Sequence, residues 1–448
     1  MICLAIILSL ITIFIQSFTL RRNREGYYLT IDNIFIILYL FLFTLIFPSS
    51  IILQEENIYN NGIGLKFFSE LDCLLYYVCI NICLFSISYV FNFFKNSLYL
   101  LSDNPRAKRN NPLLKKEDNF LFNVSLVFFI VGLISSYLFY FAYGGIISFM
   151  THYAALLRAG TISISNNYSF LEKFIGFIDF SYVLLLGLLL GFFKQKSMCL
   201  LFFSISIILV IANAFASLGR VAFAMLFLHF ILTTYILKSE KKYINTADLP
   251  KYILLLISFV YTVLLIGILM GRTGEFNYIE KIFNEICFVF NNFINLTNND
   301  SSLFNRYFLD LFIWPFYLLP SSIWANILNI QSASEITTFM ALGGVKGSFG
   351  ITSTIPVDLI SISYMQFGII GCIIFPSAWT FFGCCMVRLV EYTFTNNSVI
   401  LSLKVYILIN YFLNGIIYGD PLHFIQSNIA LIIFLLIIKC KKVKILIR

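Results

Sequence analysis

The sequence predicts an all-α polytopic membrane protein, and three observations carry that expectation. Hydrophobic residues fill 60% of the 448 positions and charged residues only 12%, about half the charge of a soluble domain. Apolar runs of about 20 residues, long enough to cross a hydrocarbon core as helices, recur along the whole chain. The alternating segments of about ten residues that build a membrane β-barrel are missing.

The runs place about 11 transmembrane helices near 2–20, 31–53, 71–94, 120–142, 174–193, 198–216, 221–237, 252–270, 358–382, 399–417 and 425–438. The first has no basic segment before it and is followed by Arg21, Arg22 and Arg24, so it reads as a retained helix rather than a cleaved signal peptide. From 31–53 to 252–270 the runs alternate with connections that hold short basic clusters. Clustering of this kind sets membrane orientation, so the net charge of +8 does not point to nucleic acid. With the N-terminus outside, 22 Lys and Arg fall on the cytoplasmic side and 8 on the outer side.

The apolar segment 308–328 is a competitor for a twelfth span. It contains Asp310, Pro315 and Pro320, and a crossing there would even the charge split to 16 against 14. It is therefore expected to form short helices in the interface, anchored by Trp314 and Trp324. This leaves a long outer loop at 271–357, with amphipathic pieces at 280–295 and 308–328 and a glycine-rich stretch at 343–350. A second outer loop runs over 143–173. The whole of 1–448 is expected to be a single transmembrane domain, without repeats or low-complexity linkers. The cysteines lie almost all in apolar runs and form no C-x-x-C pair, so they read as small apolar fillers.

Three groups of residues bear on chemistry. Arg158, Arg220, Arg272 and Arg306 face outward; arginine keeps its charge and grips phosphate with a planar fork, which suits a lipid-linked diphosphate. Snorkelling to ordinary headgroups is the plain alternative. The segment 352–384 enters the ninth helix with a polar face of Ser353, Thr354, Asp358, Ser361, Ser363, Tyr364 and Gln366, while Gly368 and Gly371 are suited to close helix approach. Asp358 is suited either to accept a proton or to start the helix as a carboxylate at its dipole. The third group is His152, Glu172, Asp179, Glu335, Asp420 and His423 near the outer face, with His229 in mid-span of the seventh helix. No P-loop, zincin motif, G-x-S-x-G or paired-carboxylate metal site occurs, so no metal and no cofactor are expected.

The run from Gly343 to Cys384, with its TS-x-x-P approach and YMQFGIIG core, resembles the O-antigen polymerases, the Wzy-type oligosaccharide repeat-unit polymerases. So does FASLGRVAFAMLFLHFIL at 215–232. The expected topology is also similar: about eleven spans, with a large outer loop before the last three. The resemblance implies a GT-C-like helical membrane fold in a bacterial inner membrane, with a periplasmic N-terminus, a cytoplasmic C-terminus and a long periplasmic loop containing short amphipathic helices. It implies glycosyl transfer from undecaprenyl diphosphate onto a lipid-linked repeat unit, in lipopolysaccharide or other surface-polysaccharide biosynthesis. The expected partners are undecaprenyl-diphosphate-linked oligosaccharides and membrane lipid; a chain-length regulator protein stays open. Arg158, Arg220, Arg272 and Arg306 are then the diphosphate ligands, and Glu335, Asp358 and His423 are candidate bases. Some members of the family pair loop repeats in which Gly follows Arg by eleven residues. Ser169 and Tyr317 stand at that spacing after Arg158 and Arg306, so no repeat-based substrate capture is carried over. An O-antigen ligase and a repeat-unit flippase are the alternatives.

Overall fold

The computed structural model describes residues 2–23, 26–45, 69–101, 112–154, 156, 169–191, 196–216, 220–239, 243–244, 292–293, 295–297, 305–319, 330–346, 348, 351 and 354–446. Across these residues the chain is an all-α membrane protein, apart from very short strands such as the antiparallel pair Arg22–Asn23 and Gly26–Tyr28. Six helices are long and apolar enough to cross a membrane: Glu70–Phe93, Lys116–Phe141, Glu172–Leu190, Lys196–Ala216, Leu359–Thr393 and Asn397–Ile417. A seventh follows if Pro421–Ser427 and Ile429–Lys439, bent by 64°, form one span. The expected helix at 252–270, Trp324 and Ser353 lie outside the described residues, as do most of 271–304 and part of 143–173.

Local chemistry accounts for the helix starts. Ser69 accepts from Asp72 N at 3.1 Å while Asp72 accepts from Ser69 N at 3.2 Å, a reciprocal cap that opens Glu70–Phe93. The described part of the segment 308–328, residues 308–319, behaves as Pro315 demands, and 320–328 lies outside the described residues. A short helix, Leu309–Ile313, tightens into a 3₁₀ turn at Trp314–Leu318 and stops at Leu319, which is extended (φ −79°, ψ 162°) ahead of Pro320. Its ten residues reach about 15 Å, half a hydrocarbon core.

The chain sorts into two compact units. The first comprises Met1–Lys95, Thr273–Gly383 and Phe412–Ile425. Its core is aromatic: Phe35 meets Phe91, Trp379 and Phe412 with ring centroids 5.8–6.0 Å apart. The second comprises Asn96–Arg272, Cys384–Tyr411 and Gln426–Arg448. There Phe177–Leu190 is tied by hydroxyls, Ser181 Oγ donating to Ser125 O at 2.9 Å and Ser402 Oγ to Val183 O at 2.7 Å. Lys404, one of the 22 Lys and Arg that the sequence reading puts on the cytoplasmic side, is fully buried in the helix Asn397–Ile407. Its Nζ donates to Tyr99 O at 2.7 Å and pairs with Glu391 at 3.3 Å.

Candidate functional site

The site lies in the first unit, where Arg306 meets a break in a membrane helix. Leu359–Thr393 leaves helical geometry at Phe367 (φ −168°, ψ 50°) and Gly368 (φ 55°, ψ −136°). The value at Gly368 belongs to a region that glycine alone enters freely. Gly371 then passes so close to the earlier turn that an added Cβ would stand 2.0 Å from Ser363 O. The two glycines expected to bring neighbouring helices together thus shape a break within one helix. At the break, Met365 O accepts from Arg306 N at 2.8 Å, so a carbonyl ahead of the interruption finds a donor from another segment.

Arg306 is buried and its fork is held from two directions. Asp310, four residues on, accepts from Nε and, at 2.7 Å, from Nη2; Gln331 O takes Nη2 at 3.0 Å. Gln366 Nε2, from the residue beside the break, donates to Asp310 Oδ2 at 2.8 Å. Burial opposes the charge on Arg306, but the adjoining Asp310 carboxylate outweighs it and holds the guanidinium above the usual arginine range. Burial, then the charges of Asp310 and Asp420, push the Tyr317 phenol up. The backbone is strained here: Tyr307 (φ 48°) and Phe308 (φ 61°) are both left-handed and pack on Phe367. Beside Arg306 opens a cleft of about 670 Å³, lined by Arg306, Gln331, Leu309, Ile313, Phe316, Ile330 and Ile336. It is an apolar trough with a guanidinium and an amide among its walls.

A helix that the sequence reading did not expect, Ala333–Leu342, completes the neighbourhood. Its signal was present as Ser332-x-x-Glu335, a reciprocal cap: Glu335 N donates to Ser332 Oγ at 3.3 Å and Ser332 N to Glu335 Oε2 at 3.0 Å. Asp420, fully buried, receives Ser334 N at 2.9 Å and Ser334 Oγ at 2.6 Å on Oδ2, and Leu422 N at 3.0 Å on Oδ1. Thr338 Oγ1 takes Ile355 N at 2.8 Å, and Gly419 N donates to Val357 O at 2.7 Å, which ties the approach to Asp358 into the same group.

The expected site residues fare differently. Arg306, Glu335, Asp358 and His423 all fall in this unit, linked by the bonds above and by the short helix Pro421–Ser427 that carries His423. Glu335 is partly exposed and one residue from Ile336 in the cleft wall. Asp358 is fully buried. His423 is half-buried, its ring 5.3 Å from that of Tyr418. Arg158 and Arg272 lie outside the described residues, and Arg220 is described only as the first residue of Arg220–Ser239. In the second unit, His152 is exposed in the turn Phe149–Tyr153, Glu172 and Asp179 begin the span Glu172–Leu190, and buried His229 meets Ser402 O through Nε2 at 2.9 Å. Among the described residues no group of three His, Cys, Asp or Glu is placed to hold a metal ion. Gln331 was missed because it contributes a backbone carbonyl, which side-chain identity does not reveal.

In comparisons with family models, with curated proteins and with solved structures, none matches this chain.

Proposed function

We propose that the chain is a surface-polysaccharide polymerase, a glycosyltransferase of GT-C-like, about eleven-span architecture in the bacterial inner membrane. It transfers a growing glycan from undecaprenyl diphosphate onto a lipid-linked repeat unit at the periplasmic face. The observation that carries the reading is the cleft that borders both Arg306 and an apolar wall, beside a broken membrane helix. An amphiphile with a phosphate head and a hydrocarbon tail needs both kinds of wall. Asp310 and Gln331 fix the guanidinium plane; Nη1 has no hydrogen-bond partner among the described residues and is the atom assigned to the diphosphate.

In the transfer, the acceptor hydroxyl oxygen bonds to the anomeric carbon and its proton passes to a base. The bond from that carbon to the diphosphate oxygen breaks, and the carrier leaves with the electron pair. Of the three candidate bases, Glu335 is assigned the role, because it is partly exposed beside the cleft whereas Asp358 is enclosed. Arg158, Arg220 and Arg272 are assigned to the diphosphate with Arg306, its developing charge being answered without a metal. A second reading, a repeat-unit flippase, is favoured by the broken helix, a device of membrane transporters.

A deletion strain separates the readings on lipopolysaccharide gels. Loss of the polymerase leaves core bearing a single repeat unit. Bare core instead points to a flippase or ligase, and an unchanged ladder overturns all three. Glu335→Gln restored to that strain is expected to leave the single-unit band, whereas a full ladder removes Glu335 as the base.

A further inference from the structure

A guanidinium and a carboxylate joined by two parallel bonds fix each other, but not the direction in which the pair faces. Arg306 and Asp310 are such a pair, Oδ2 accepting from Nε and Oδ1 from Nη2, and both side chains are buried. Besides Arg306, Gln366 is the side chain that reaches Asp310 among the described residues, its Nε2 donating to Oδ2 at 2.8 Å. The same Nε2 donates to Ile362 O at 3.3 Å, one turn back in its own helix. The amide thus spends both N–H groups, and its two acceptors fix which of its ends is nitrogen. Gln366 is fully buried and its Oε1 has no partner among the described residues, so the side chain acts here as a donor.

Three consecutive residues at the break grip the segment that carries Arg306. Met365 O accepts from Arg306 N at 2.8 Å, and Gln366 holds Asp310. The Phe367 ring lies 6.0 Å from that of Tyr307 and 6.2 Å from that of Phe308, the two left-handed residues. In an uninterrupted helix Met365 O would be the acceptor for the N–H four residues on, at Ile369. The departure from helical geometry at Phe367 and Gly368 therefore goes together with the hold on Arg306.

We infer that Gln366 is a positioning residue: through Asp310 it sets the direction of the Arg306 guanidinium at the cleft, and the broken helix sets Gln366. A guanidinium grips phosphate through a planar fork, so its direction matters in a way that an ammonium's does not. The ligand, a lipid-linked diphosphate, rests on the polymerase reading above; the clamp rests on the hydrogen bonds alone.

The test is equilibrium binding of undecaprenyl diphosphate to the full chain in lipid nanodiscs, with dissociation constant and stoichiometry both measured. Gln366→Met keeps the length of the side chain and removes its N–H groups. It is expected to raise the dissociation constant about tenfold, roughly what one hydrogen bond to a charged group carries, at the stoichiometry of the parent. Arg306→Lys keeps a charge beside Asp310 and discards the fork. In that background Gln366→Met is expected to change the constant less than about twofold, because an ammonium has no plane to aim. Gln366→Glu with Asp310→Asn exchanges donor and acceptor at unchanged net charge, and is expected to bind within about threefold of the parent. Parental binding by Gln366→Met, or an equal loss in both backgrounds, overturns the positioning role and leaves the polymerase reading standing. A parent chain that binds no undecaprenyl diphosphate overturns that reading, and the role assigned to Gln366 with it.

Discussion

Two helix starts in the first unit use the same residue type at the same depth, and they end differently. Asp420 and Asp358 are both fully buried. Asp420 stands at the start of Ala333–Leu342 and of its own short helix, and three donors cover both of its oxygens. Asp358 starts Leu359–Thr393 with two backbone donors from its own helix on one oxygen and no donor from another segment among the described residues. Nearby Asp310 is a third case, its charge answered by Arg306. Burial alone therefore does not say what a carboxylate is for. The donors on each oxygen, and the cation beside it, tell how each carboxylate is held.

The largest expected effect comes from taking the cation away from an answered carboxylate. Arg306→Ala leaves Asp310 buried without its cation and is expected to cost about 3–5 kcal/mol, measured by chemical unfolding in detergent. The double change Arg306→Met with Asp310→Leu should recover most of that loss. If it does not, the pair does more than balance charge. Asp420→Ala comes next, at about 2–4 kcal/mol, since it strands Ser334 N, Ser334 Oγ and Leu422 N together. A loss below about 1 kcal/mol would place Asp420 with the weakly held caps.

Gly371→Ala is expected to cost about 1–3 kcal/mol, because its Cβ meets a backbone carbonyl. Proteolysis of the purified protein should show faster cutting; an unchanged pattern means that the break has room to spare. The smallest effect belongs to Asp358→Asn. Its stability should stay within about 1 kcal/mol of the parent, since asparagine caps comparably and carries no charge. A loss as large as that of Asp420→Ala would erase the distinction between the two helix starts.

Much of the helical layout was legible because apolar runs of membrane length leave few alternatives. Apart from 252–270 and 46–53, outside the described residues, the expected helices overlap described ones, with 425–438 crossing a 64° bend and six or seven of them long and apolar enough to span. The prolines at 315 and 320 likewise announced the short helix at Leu309–Leu318. The break at Phe367–Gly368 was not legible, because hydropathy stays high through QFGIIG and glycines in membrane helices more often mark close packing. Ala333–Leu342 was overlooked although its capping residues stood in the sequence, since a ten-residue helix in a long polar loop offers little periodicity. Of the candidate site, Arg306 and Gln366 were both named, but as members of separate groups.

The sequence by itself determined that the chain is helical and apolar, that Arg306 has an acid four residues away, and that Asp358 begins a helix. Those are local facts, decided by composition and by spacings of a few residues. Tertiary structure alone decided that Gln366 holds Asp310 across 56 residues and that Asp420 clamps Ser334 across 86. It also decided that Asp358 meets no such donor from another segment among the described residues. Local spacing can place a donor near an acceptor within one turn, but gripping a buried carboxylate from a second segment takes a group from elsewhere in the chain, and only the packed fold brings one there or withholds it.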